Sequence, residues 1–97
     1  MAVRAFLFLV LLSSTASHAE LPTERYAPAQ LRVAQDMLER AHAAAALGDD
    51  ARAGRLAWQA RLDARLAWRM TESQELRADA AELSEAAAEL IATLARR

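Results

Sequence analysis

Ala67-Trp68-Arg69-Met70-Thr71-Glu72-Ser73-Gln74-Glu75-Leu76 lies midway along an otherwise unbroken helical pattern, and two architectures diverge on it. If the helix runs through, it extends from about Asp50 to about Leu94, some 65 Å at roughly 1.5 Å per residue. The helix before it, about 20 residues or roughly 30 Å, then covers only its first half. If the helix breaks, with Thr71 and Gln74 as a capping box, the last segment returns as a third helix. The stretch contains neither Gly nor Pro, the strongest local breakers. The expected fold is therefore all-α: a hairpin over residues 28–70, with helices at about 28–47 and 50–70, and residues 71–97 as a coiled-coil-like extension of the second helix. A three-helix bundle is the alternative.

Composition points the same way. Of 97 residues, 26 are Ala, 15 Leu and 12 Arg, all strong helix formers. Beyond residue 20 there are one Val, one Ile and three Thr, too few β-branched side chains for a sheet. The chain has no Cys, which excludes a disulfide scaffold and thiolate metal sites. Its length sets a ceiling of one domain.

Working outward, Pro28 suits the first turn of helix one, after an irregular lead-in over residues 20–27. Leu31, Ala34, Leu38, Ala41 and Ala45 then form one stripe. Gly48 offers a left-handed cap. Asp49 or Asp50 offers an N-cap for the next helix, near its positive end. On helix two, Ala53, Ala57, Ala60, Ala64 and Ala67 share a face narrow enough for helix one to dock closely. Beyond Thr71, Leu76, Ala80, Leu83, Ala87, Leu90 and Leu94 continue a heptad seam, which projects backwards through Leu62, Leu66, Arg69 and Ser73. On a protruding helix Leu76, Leu83, Leu90 and Leu94 would lack a cover, so they are the candidate oligomerisation seam. Residues 51–71 carry net +4 and residues 72–97 net −3, a complementarity that suits antiparallel packing between copies or within a bundle.

At the other end, Arg4, the apolar run Ala5 to Leu12 and Ser17-His18-Ala19 read as a secretory signal peptide over residues 1–19, cut before Glu20. Eight apolar residues fall short of the roughly 20 that a membrane span needs. The expected product is an exported, soluble periplasmic chain with no transmembrane segment after cleavage and, lacking Cys, no lipid anchor.

The chain offers little to catalysis. His42 has at most Glu39 near it at helical spacing, short of a metal site. Ser/His/acid constellations and Gly-rich loops are missing, and Glu82, Glu85 and Glu89 read as a solvated edge. No catalytic, cofactor-binding or metal-ligating residues are expected. The pattern that stands out is Trp58, Arg61, Arg65, Trp68 and Arg69, on the side of helix two opposite its alanines, where Arg–Trp pairs such as Trp58 with Arg61 and Arg65 with Trp68 can make cation–π contacts. It is a candidate face for an anionic partner, either envelope lipid or cell-wall polymer. Nucleic acid is not expected for an exported chain of net acidic charge.

Tyr26-Ala27-Pro28-Ala29-Gln30-Leu31 resembles the opening of the bacterial domain-of-unknown-function family 4398. Ala34, Leu38, Ala41, Gly48-Asp49, Ala53, Leu56-Ala57, Ala60 and Asp63-Ala64-Arg65-Leu66-Ala67 follow in that family's order. The resemblance implies an exported envelope protein built on a helical hairpin, often a lipoprotein and sometimes joined to a peptidoglycan-binding domain; it supplies no catalytic residues. Gly48, Ala53, Ala57 and Ala60 are also weakly similar to the second half of a tetratricopeptide repeat, although that repeat's first-helix signature is missing. The expected function is a non-enzymatic cell-envelope protein, an interaction or scaffolding module that forms a homo-oligomer or meets an envelope protein partner. Anionic lipid or polymer binding, or a small periplasmic chaperone, are the alternatives.

Overall fold

The computed structural model describes residues 21–97, with side chains from Glu24 onward. Residues 1–20, which hold the expected signal peptide, lie outside the described residues. The described residues form three helices: α1 Leu21–Ala46, α2 Asp50–Met70 and α3 Gln74–Ala95. α2 packs against both neighbours, and α3 also touches α1 over a smaller area. No described residue lies in a strand.

The first turn follows the expected chemistry. Gly48 adopts φ +81°, a region open to Gly at no steric cost. Its amide donates to Ala45 O at 3.0 Å and the Asp49 amide to Ala44 O at 2.9 Å, the paired bonds of a Schellman motif. Asp49 then caps α2, its carboxylate accepting from the Arg52 amide at 3.2 Å.

The expected docking faces meet. Leu38, Ala41 and Ala45 of α1 share a core with Ala53, Ala57 and Ala60 of α2. Ala34, Ala57, Ala64 and Ala67 are fully enclosed. Alanine on both sides lets the two backbones approach closely, and each side chain gives up little rotamer entropy.

The second turn corrects the expected long helix. α2 ends at Met70, Thr71 is extended at φ −134°, ψ 151°, and Ser73 caps α3. The coiled-coil-like extension over residues 71–97 is replaced by a helix that folds back. Two causes combine. First, the seam finds its cover inside the chain: Leu90 and Ala87 are buried in the α1–α2 core with Leu83 and Leu94 against it, and Leu76 packs beside Leu31, Ala67 and Ala80. Second, the broken backbone is satisfied without Gly or Pro. Ser73 Oγ accepts from the Leu76 amide at 3.3 Å and Thr71 Oγ1 from the Ser73 amide at 3.0 Å. Arg77 Nε donates to Thr71 O at 2.8 Å. The expected capping box of Thr71 with Gln74 gives way to Ser73 as the N-cap.

The remaining partner comes from α1. Thr71 Oγ1 donates to Glu24 Oε2 and the Glu72 amide to Glu24 Oε1, both at 2.7 Å. Glu24 reaches the turn because it is already part of α1, ahead of the expected start at Pro28. Residues 21–27 are helical where an irregular lead-in was expected. Pro28 sits inside the helix and removes the bond to the carbonyl four residues back, that of Glu24. The turn before it holds because Ala27 is fully buried and the Glu24 side chain is anchored.

Two outcomes follow from this packing. Ala57→Leu forces a branched side chain between α1 and α2 and should lower unfolding stability by about 1–3 kcal/mol in chemical denaturation. Thr71 donates to the Glu24 carboxylate and the Glu72 amide adds a second bond, so the Glu24 pKa is held below its ordinary 4.5, with Arg77 assisting and desolvation opposing. A carboxyl depressed in the folded state adds stability that is complete above its unfolded pKa and lost as pH falls through the folded one. The melting-temperature gap between the parent chain and Glu24→Gln should therefore be widest at neutral pH and close below pH 4.5.

Candidate functional surface

On α2 the inward face holds only small or polar buried residues: Ala53, Ala57, Ala60, Asp63, Ala64 and Ala67. Asp63 is held there by a bond from Gln59 Nε2 at 3.0 Å. Of the larger apolar side chains on this helix, Leu56 packs against the core, and others point outward. Trp58, Leu62 and Leu66 keep 49, 55 and 48% of their surface exposed. Spaced four apart, they form a ridge about 12 Å long on the outer side. Arg55, Arg65 and Arg69 are exposed along it, and Leu62, Arg65, Leu66 and Arg69 line one shallow depression.

The five expected face residues are therefore divided. Trp58, Arg65 and Arg69 lie on the ridge. Arg61 is half-buried, its Nε shielded from solvent without a hydrogen-bond acceptor, and its guanidinium carbon is 5.2 Å from the Trp58 ring centroid. Trp68 is 43% exposed and lines a second depression with Arg65 and Arg69, while its ring is stacked by Arg77 of α3 at 4.3 Å and not by the expected Arg65. Trp68 and Arg77 therefore join the second turn to the α2–α3 contact, since the same guanidinium bonds Thr71 O. The composition of the ridge was missed at Arg55, Leu62 and Leu66. The heptad pattern places the two leucines on a seam projected back from α3, although their spacing from Trp58 puts them opposite the alanines.

The seam residues Leu76, Leu83, Leu90 and Leu94 are placed on the inner side of α3, packed on the hairpin. Three exposed acids of α3 lie beside α1. Asp79 and Glu82 line a depression with Gln35 of α1, and Glu89 lines another with His42. Among the described residues the ion pairs are Arg40–Asp36 and Arg97–Asp50; neither joins an α2 arginine to an acid of α3. The charge of the two segments is thus displayed on separate sides of the molecule rather than neutralised inside it.

Among the described residues no helix is long and apolar enough to cross a membrane, and no group of three His, Cys, Asp or Glu is gathered for a metal ion. Comparison with protein-family models, with curated proteins and with solved structures gave no match.

The Trp68–Arg77 stack has a direct check. In a Trp58→Phe background, Arg77→Gln should shift Trp68 emission to the red and cost about 1–2 kcal/mol of stability, since it removes the cation–π contact together with the bond to Thr71 O.

Proposed function

We propose that this chain is a non-enzymatic, exported interaction module of the cell envelope that docks on an anionic partner through the outer face of α2. The observation that carries this reading is the exposed ridge of Trp58, Leu62 and Leu66 among Arg55, Arg65 and Arg69, with no acidic side chain paired to those arginines among the described residues. An unpaired arginine row keeps its full attraction for external anions. With Leu90 buried and Leu76, Leu83 and Leu94 half-buried against the hairpin, the reading places the interaction surface on α2 and not on α3, so association through that seam is not carried forward. The export element rests on the signal-like residues 1–19 and on the resemblance to family 4398.

Retention on immobilised heparin tests the charge requirement. The parent chain should bind at low ionic strength and elute as salt is raised, while Arg65→Glu with Arg69→Glu should pass through unretained. Elution of that variant at the parent's salt concentration, or failure of the parent to bind, overturns the reading.

A further inference from the structure

We infer that the anionic partner is a phospholipid bilayer surface, on which α2 lies in the plane of the headgroups; this rests on the anionic-partner reading above. A dissolved polyanion would need only the arginines. It would leave the ridge of Trp58, Leu62 and Leu66 half in water, where three large apolar groups gain nothing. A bilayer boundary takes both components at once, since an interfacial helix sinks its apolar side chains among the acyl-chain ends while cations meet the headgroups. Arg55, Arg65 and Arg69 carry long aliphatic stems that can lie along the ridge and lift their guanidinium groups to the phosphates. An indole at Trp58 suits the same depth, with an apolar body and a polar N–H.

The rest of the molecule fits this orientation. Glu75, Asp79, Glu82, Glu85 and Glu89 are exposed on α3, and those that line depressions do so beside α1. With α2 against the headgroups, those beside α1 stand beyond a helix spacing of about 8–10 Å, farther from the bilayer than the arginines of α2. Since no described helix can cross a membrane, α2 lies on the surface and does not enter as a span.

The experiment uses the full chain carrying Trp68→Phe. The sequence has two Trp, so Trp58 is then the only indole and reports on α2 whatever the leader does. Vesicles of equal parts phosphatidylglycerol and phosphatidylcholine should shift Trp58 emission to the blue at low salt, and phosphatidylcholine vesicles should not. Leu62→Ser with Leu66→Ser should abolish the shift while leaving helicity intact, because both positions are exposed. Arg65→Gln should weaken partitioning about fivefold. An unshifted Trp58 on anionic vesicles, equal shifts on both vesicle types, or a shift retained by the double serine variant overturns the inference. If the chain is a multimer by light scattering, becomes monomeric with the serine pair, and shows no vesicle response, the ridge is an interface between copies and the lipid inference falls. Heparin retention with no vesicle response removes the lipid inference alone; loss of both removes the anionic-partner reading with it.

Discussion

Close approach of α1 to α2 through alanine is the constraint on which the rest of the structure depends. With Ala34, Ala41, Ala57, Ala60, Ala64 and Ala67 enclosed, most buried positions of α1 and α2 carry only a methyl group, and Leu31 and Leu38 of α1 add the larger buried side chains. Much of the remaining apolar volume of the bundle enters from the third side. α3 supplies it through Leu83, Leu90, Ile91 and Leu94, and that demand is what turns the chain back at Thr71. The same constraint sends Trp58, Leu62 and Leu66 outward, since the inward positions of α2 are taken by small residues. Core and exposed ridge are two results of one choice of side-chain size.

Periodicity alone made much of this legible. The stripes Leu31 to Ala45 and Ala53 to Ala67 are the faces that meet, and Gly48 with Asp49 forms the cap that its residue types suggest. Both are local properties, set within a turn or two of helix. The heptad seam on α3 was also real, since Leu76, Leu83, Leu90 and Leu94 do share an apolar face. Periodicity reports that a face needs cover, however, and says nothing of which surface covers it. A second copy and the chain's own hairpin leave the same pattern.

The break at Thr71 was hidden for a different reason. Its satisfaction depends on Glu24, 47 residues away, and no window along the sequence contains both. Pro28 concealed it further, because a helix start at Pro28 leaves Glu24 in a lead-in where it has no role. Trp68 shows the same limit at short range. Spacing of three offered Arg65 as its partner, whereas the turn brings Arg77 over the ring at 4.3 Å. Of the surface itself, Trp58, Arg65 and Arg69 were legible as a face, while Leu62 and Leu66 were drawn into the seam by an assumed continuity of helix.

Each turn of the bundle is fastened by the helix that does not form it. Glu24 of α1 holds the α2–α3 turn, and Arg97, just beyond α3, reaches Asp50 Oδ1 at 2.6 Å and Ala45 O at 3.3 Å across the α1–α2 turn. Fraying of α1 around Glu24, or of the segment that follows α3, therefore releases a reversal made by the other two helices. Neither adjacent pair keeps all its bonds without the third. Such reciprocal fastening favours all-or-none unfolding over stepwise peeling of one helix from a surviving hairpin, in a chain whose neighbouring helices could otherwise separate one at a time.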